Sequence, residues 1–154
     1  MIGHVATVKA RARLATKKSL EIMKMTKTNE SKEQISLFHW AKLHEKKYPE
    51  LEWLYHIPNG GKRHLTTAIR LKKEGVKAGV PDICLPVACG NYHGLYIELK
   101  AGKNKTTENQ DKWLEALVQN GYHAVTCYGW DEAKNAILEY LKLSKILRGG
   151  AAGE

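Results

Sequence analysis

Cysteine is scarce in this sequence, and its pattern excludes two common uses of the residue. The three cysteines, Cys84, Cys89 and Cys127, are an odd number and include no C-x-x-C pair, so a disulfide framework is not expected. Grouped with His93 they match no common zinc-module spacing, and Cys84 and Cys127 lie inside apolar, strand-like runs. We therefore expect buried free thiols rather than a zinc site.

Long apolar runs are also absent. No stretch approaches the roughly 18 to 20 apolar residues that cross a bilayer. The N-terminus lacks the continuous apolar core of a secretory signal. No membrane partner is therefore expected, and the sequence favours a soluble intracellular protein.

Acidic residues are too few to balance the basic ones. The chain has 25 Lys and Arg against 16 Asp and Glu, which gives a formal net charge of +9. This excess favours a polyanionic partner and predicts binding that weakens strongly as salt increases. Charge alone does not distinguish DNA from RNA or from an acidic membrane.

The length of 154 residues fits one domain with terminal extensions. Residues 1–29 carry seven Lys or Arg against a single acid, Glu21, and form a basic extension. Its composition fits a disordered or loosely docked helical segment, an organellar presequence, a nucleic-acid-binding arm or an added dimer helix. We expect the folded domain at 30–147 and a flexible tail at 148–154.

Capping and turn signals divide the domain into helices and strands. Ser31 and Gln34 form a capping-box pattern that starts a helix, and Thr107 and Gln110 repeat it. Gly75 is expected to end the second helix. Alternating apolar residues or short apolar runs indicate strands. The expected elements are helices at 32–47, 65–74 and 107–121 and one capped by Asp131, and strands at 51–57, 83–87, 94–99 and 122–128.

Packing predictions follow from the same apolar pattern. Two tryptophans, Trp53 and Trp113, are interpreted as core residues rather than as base-stacking platforms. The residues of the last helix that share its apolar face are expected to point inward. They are Ala133, Ile137, Tyr140 and Leu141.

The segment from Val80 to Lys100 holds two acids and a lysine at a spacing that suits metal-dependent phosphodiester hydrolysis. The runs 83–87 and 94–99 predict a β-hairpin. Since strand side chains alternate faces, Glu98 and Lys100 point the same way while Leu99 points to the core. If Asp82 opens the neighbouring strand, its carboxylate converges with that of Glu98 in an all-oxygen site that suits Mg²⁺ or Mn²⁺.

The P-D-x15-E-L-K pattern at 81–100 resembles the PD-(D/E)xK nuclease superfamily. Its flanks resemble the VRR-NUC family within it, because the segments 56–61 and 75–82 and the downstream Gln110 stand at family-like positions. The resemblance covers roughly 32–128. It implies a restriction-endonuclease-like α/β fold with an α-β-β-β-α-β core, in which helices flank a mixed sheet of about four strands.

The resemblance also implies a role for each residue of the centre. Asp82 and Glu98 are the expected ligands of Mg²⁺ or Mn²⁺, with the backbone carbonyl of Leu99 as a further oxygen. Lys100 is expected to orient the attacking water, stabilise charge or bind the scissile phosphate. Two adjacent carboxylates raise the pKa of a lysine and so disfavour proton abstraction by it.

Two further polar residues each have two interpretations. Gln110 closes its capping box, and the resemblance adds a contact with the water or the phosphate beside Lys100; the two are compatible. Glu33 is a favourable acid in the first turn of its helix, and the resemblance adds a role as an outer metal ligand.

A wider set of residues is expected to contact DNA. The segment 56–61 can hold backbone N–H groups near a phosphate because its glycines permit close approach, although an ordinary glycine-rich turn has the same pattern. Flanking lysines fit nonspecific phosphate contacts, and surface solvation explains them equally well. The expected DNA-binding residues are His56, Asn59, Gly60, Arg63, Arg70, Lys103, Lys105 and Lys112.

From the resemblance we expect a Mg²⁺- or Mn²⁺-dependent, structure-selective DNA endonuclease of the bacterial or phage-infected host cytoplasm. It is expected to act at four-way (Holliday) junctions as a homodimer, since symmetric cleavage of a junction needs two sites related by a twofold axis. Two alternatives stay open. A nuclease of the same core could act on plain duplex, flapped or single-stranded DNA, and a basic DNA-binding module could keep the fold without catalysis.

Overall fold

The computed structural model of the chain describes residues 29–59 and 65–149. Helix α1 covers 29–44 and is followed by a turn at 45–47, so the helix lies about three residues earlier than its predicted bounds. Ser31 is inside this helix rather than at its cap. The first turns are held by contacts distant in sequence, since Glu30 bonds Asn104 and Glu33 bonds the backbone of Trp130. Residues 1–28, 60–64 and 150–154 lie outside the described part.

The strand predicted at 51–57 is wrong over its first half. Residues Pro49–Trp53 form a 3₁₀ helix, and β1 is limited to Tyr55–His56. Pro49 has the φ angle that suits the first position of a helix, and Leu51 and Leu54 are buried at helical spacing. Trp53 consequently points outward with 60% of its surface exposed, so its prediction as a core residue is also wrong.

The four strands form one mixed sheet in the order β1-β2-β3-β4. Strand β2 (Ile83–Leu85) pairs antiparallel with β1 and with β3 (Leu95–Lys100), which confirms the predicted hairpin. Strand β4 (His123–Tyr128) pairs parallel with β3. Helix α3 (Glu108–Gln119) connects these two parallel strands. The mixed sheet with flanking helices confirms the predicted fold class.

Helix α2 (Leu65–Lys73) confirms the second predicted helix, and Gly75 follows it with a φ of +97°. Helix α4 (Trp130–Gly149) begins one residue before its predicted cap, Asp131. Glu33 accepts the Trp130 N–H at 2.8 Å, so this end of α4 is capped from α1, and Asp131 pairs with Lys134 at 2.5 Å instead. The last helix also extends past the predicted domain boundary at residue 147.

The core lies between one face of the sheet and helices α1 and α4. Leu95, Ile97 and Leu99 of β3 are almost fully buried there, together with Leu37 of α1. The four residues predicted to point inward from the last helix are all buried, which confirms that prediction; they are Ala133, Ile137, Tyr140 and Leu141. The three cysteines are buried, and none of them forms a disulfide within the described residues. In the described part of the chain, no helix combines the length and apolarity needed to cross a membrane.

Candidate active site

Strand β3 places an acid and an amine side by side on the face opposite the apolar core. Residues two apart in a strand share a face, and here Lys100 Nζ donates to Glu98 Oε1 at 2.7 Å. Glu98 is 1% exposed and Lys100 is 7% exposed. A buried ion pair is an expensive arrangement for stability alone, so its presence at a strand end points to chemistry.

Asp82 joins this pair through the register of the hairpin. Ile83 of β2 lies opposite Ile97 of β3, so Asp82, just before the strand, lies opposite Glu98. The Asp82 Oδ2 accepts the backbone N–H of Leu99 at 3.0 Å, a hydrogen bond that a carbonyl of a neighbouring strand would otherwise accept. The two carboxylates predicted to converge are therefore brought together.

The two carboxylates have raised pKa values. Burial, and then the charge of Asp82, raise the pKa of Glu98 to about 7 against the opposing effect of Lys100. Burial also raises the pKa of Asp82, while the Leu99 N–H, Lys100 and His56 act to lower it. Both groups thus hold protons more tightly than exposed acids do. A bound cation would offset the repulsion between them.

Gln110 connects helix α3 to this centre. The predicted capping box at Thr107 is present, with the Gln110 amide oxygen accepting the Thr107 N–H at 2.8 Å. The same oxygen accepts from Lys100 Nζ at 3.2 Å, and the Gln110 amide nitrogen donates to Glu98 Oε1. One side chain therefore caps the helix and bridges the ion pair.

A divalent cation can be tested against the donor atoms present. Glu98 Oε2 is buried and has no hydrogen-bond partner among the residues that the structure describes, which leaves an anionic oxygen available as a ligand. The N–H and C=O of one strand residue point to the same side, so the Leu99 carbonyl faces the Asp82 side of β3. Within 29–59 and 65–149 no three His, Cys, Asp or Glu residues cluster to hold a metal. Two carboxylates, a carbonyl and water suit Mg²⁺, which keeps several waters.

The two acids at the start of α1, Glu30 and Glu33, have different partners. Glu33 Oε2 accepts the Trp130 N–H, which places its carboxylate at the start of α4. Glu30 instead acts electrostatically on both Asp82 and Glu98, raising the pKa of each. Asn104, in the loop after β3, donates to Glu30 Oε1 at 2.9 Å. Glu30 was missed because the helix was predicted to begin only at residue 32.

His56 and Asn59 brace the loop that carries Asp82. His56 Nδ1 lies 2.8 Å from the backbone oxygen of Asp82, which also accepts the Ile57 N–H at 2.7 Å. Asn59 Nδ2 donates to the Val80 carbonyl at 2.9 Å. These two predicted DNA-binding residues are therefore next to the centre and contact its backbone.

Gly79 holds the other side of the same loop against α3. Its φ is +89°, and a Cβ placed there would lie 2.7 Å from the carbonyl carbon and oxygen of Asn109. Any larger residue would push the loop away from the helix start that carries Gln110. Gly79 is thus required for the close approach of the two segments that supply Asp82 and Gln110.

The predicted cationic residues that the structure describes lie on exposed surface. Arg70 pairs with Glu74 at 3.0 Å and Lys112 approaches Glu108 at 3.8 Å, while Lys103 and Lys105 are exposed. Gly60 and Arg63 lie outside the described residues. A cleft of about 770 Å³ opens beside the loop before Asp82. Its lining includes Asn59, Leu71, Lys72, Val76, Lys77 and Asn109.

Comparisons with known proteins agree with this arrangement. The model of the VRR-NUC domain family matches residues 16–131. A solved structure described as a VRR_NUC domain protein is similar to this chain at 33% sequence identity with a TM-score of 0.65. That match covers 75% of this chain and 90% of the other. A search of curated proteins finds no match.

Proposed function

Because this chain belongs to the VRR-NUC family, whose domain is a nuclease of the PD-(D/E)xK type, we propose that it is a Mg²⁺- or Mn²⁺-dependent endonuclease that cuts branched DNA. The observation that carries the proposal is the buried Glu98–Lys100 pair facing Asp82, in which Glu98 Oε2 receives no hydrogen bond from the described part of the chain. We place the hydrolytic centre at these three residues, with Gln110 beside them.

Asp82, Glu98 and the Leu99 carbonyl are the proposed cation ligands, and Glu30 is the additional acid that α1 contributes. We favour Glu30 over Glu33 in this role because the Glu33 carboxylate already accepts the Trp130 N–H. A bound divalent cation would supply an activated water and neutralise charge on the phosphate. After burial, the charge of Asp82 is the next cause of the raised pKa of Glu98, and a cation bound between the two carboxylates would relieve that repulsion.

Lys100 is proposed to position rather than to remove protons. A lysine ammonium has three N–H donors, and two of them are directed to Glu98 and Gln110. The third remains for a water or for a non-bridging phosphate oxygen. Lys100 therefore contributes orientation and positive charge at the phosphate.

DNA is the substrate that the nuclease domain implies, and the net charge of +9 suits it. We propose His56, Asn59, Arg70, Lys103, Lys105 and Lys112, with Gly60 and Arg63, as its contacts. The preference for four-way junctions and the homodimer rest on the family resemblance. A twofold dimer would present one centre to each of the two strands that are cut when a junction is resolved.

The same centre could also act on plain duplex, flapped or single-stranded DNA, and labelled substrates separate these activities. We expect cleavage of a four-way junction in Mg²⁺ or Mn²⁺ and none in EDTA, with slower cleavage of a flap and of linear duplex. Equal rates on all substrates would retain the nuclease and contradict the junction preference. Salt-sensitive binding without cleavage in either metal would favour a noncatalytic DNA-binding module instead.

A further inference from the structure

The amide of Gln110 is held in one orientation by the groups around it. Its oxygen faces three donors, which are the Thr107 N–H at 2.8 Å, the Thr107 hydroxyl at 3.2 Å and Lys100 Nζ at 3.2 Å. An NH₂ group in that place would face the Thr107 N–H and the Lys100 ammonium, neither of which can accept a hydrogen bond. The NH₂ group therefore faces the Glu98 carboxylate, where it finds an acceptor.

This orientation determines which oxygen of Glu98 is left free. Glu98 Oε1 receives both the Lys100 ammonium and the Gln110 amide N–H, whereas Oε2 is buried and receives no donor from the described residues. Both hydrogen bonds to the carboxylate are made to Oε1. The carboxylate is thus fixed with its other oxygen presented to a ligand that carries positive charge.

Thr107 is connected to the centre through its hydrogen bonds with Gln110. It is exposed at the N-cap of α3, and its hydroxyl accepts the Gln110 backbone N–H at 3.4 Å. Its backbone N–H and its hydroxyl donate to the Gln110 side-chain oxygen. The Thr107 carbonyl accepts the Asp111 N–H at 2.9 Å as part of the helix, and the hydrogen bonds of its hydroxyl and its N–H are with Gln110. Its influence on the centre therefore passes through that one amide.

We propose that Thr107 is a positioning residue of the centre, which acts through Gln110 to hold Glu98 with Oε2 directed at the cation. This inference rests on the proposed metal-dependent function. It predicts that the loss of one exposed hydroxyl weakens cation binding by roughly tenfold, the effect typical of residues that orient a metal ligand. A role in helix capping alone predicts a loss of stability and no change in affinity.

The test measures Mn²⁺ affinity of the full chain, by electron paramagnetic resonance of free Mn²⁺, in Thr107→Val, Thr107→Ser and a matched control. The control is Asn120→Ala, which removes a hydrogen bond of 2.7 Å to the Ala116 carbonyl at the other end of α3. It weakens the same helix without touching Gln110. Thermal unfolding of each variant measures how far the helix is destabilised, and Thr107→Ala repeats the test without the branched methyl group.

We expect Thr107→Val to bind Mn²⁺ about tenfold more weakly, while Thr107→Ser and Asn120→Ala keep the parent affinity. In the metal-free protein, the NMR signals of the Gln110 side-chain NH₂ should shift in Thr107→Val and stay in place in Asn120→Ala. If Thr107→Val has the Mn²⁺ affinity of the parent and its Gln110 amide signals do not move, the role of Thr107 is overturned while the proposed function stands. If the parent binds no Mn²⁺, the proposed function falls and the inference falls with it.

Discussion

Burial has opposite effects on stability at the two faces of β3. On one face Leu95, Ile97 and Leu99 pack against helices and remove apolar surface from water, which stabilises the fold. On the other face Glu98 and Lys100 are also buried, although burial of charge opposes folding. Alternate residues of one strand thus serve stability and reactivity, and substitutions on the two faces should separate these properties.

The largest expected effect is the loss of cleavage when the charged face is altered. Lys100→Ala and Glu98→Gln should each lower the single-turnover cleavage rate in Mg²⁺ by at least about 10²-fold, because each removes a group aimed at the reacting phosphate or its cation. DNA binding measured in Ca²⁺ should stay close to that of the parent. A variant that keeps the parent rate would remove its residue from the centre.

On the apolar face, Ile97→Ala should reverse that pattern. Ile97 is fully buried, so its truncation should lower the free energy of unfolding by about 2–5 kcal/mol. Urea denaturation measures this loss. The cleavage rate per folded molecule should change little, since the Ile97 side chain points away from Glu98. A large rate loss with unchanged stability would show that the faces are not separable.

Gly79 lies where the loop that carries Asp82 packs against the start of α3, so a substitution there should affect both stability and cleavage. Gly79→Ala should lower stability and cleavage together, since its Cβ would meet the Asn109 backbone and displace either the Asp82 loop or the start of α3. Gly75→Ala is the matched control, with a φ of +97° and no atom within 4 Å of the added Cβ. It should cost about 1–2 kcal/mol of stability from backbone strain and leave the rate of the folded enzyme unchanged. Equal rates in the two variants would refute the proposed role.

A smaller effect is expected from pH. The pKa of Glu98 is raised from 4.5 to about 7 by burial and Asp82, so the folded, metal-free protein holds this proton more tightly than the unfolded chain. Its contribution to stability is therefore full below pH 4.5 and lost as the pH rises through about 7. Cation binding must displace the proton, so Mn²⁺ affinity should increase up to about pH 7.

Calorimetric titration in two buffers of different ionisation enthalpy measures that released proton. The release should be present in the parent near pH 6 and reduced in Glu98→Gln. An Mn²⁺ affinity that is independent of pH between 5 and 8 would contradict the assignment of Glu98 as a ligand that exchanges a proton for the cation.

Local sequence signals predicted most of this architecture. The hairpin, the capping box at Thr107 and the glycine after α2 each depend on residues close in sequence, so their patterns carried the information. The spacing of Glu98 and Lys100 fixed their shared face because strand side chains alternate. The predicted start of the last helix was wrong because it depends on a distant contact. The start of α4 is set by Glu33 in α1, and no local pattern near Asp131 shows it.

The same distinction applies to the candidate site. Asp82, Glu98 and Lys100 could be predicted because one hairpin brings them together, and Gln110 because its capping box was readable. Glu30 could not be identified, since its contribution depends on how α1 packs beside the loop at Asn104. The role of Gly79 likewise requires knowing that Asn109 lies against it.

The central claim is that the buried charged face of β3 is a metal-dependent phosphodiester-cleaving centre. Single-turnover cleavage of a labelled four-way junction, by the parent and by Asp82→Asn in Mg²⁺ and in EDTA, tests it most directly. We expect cleavage by the parent in Mg²⁺, none in EDTA, and a loss of at least about 10²-fold in Asp82→Asn. Cleavage by the parent that persists in EDTA, or an Asp82→Asn rate equal to that of the parent, would contradict it.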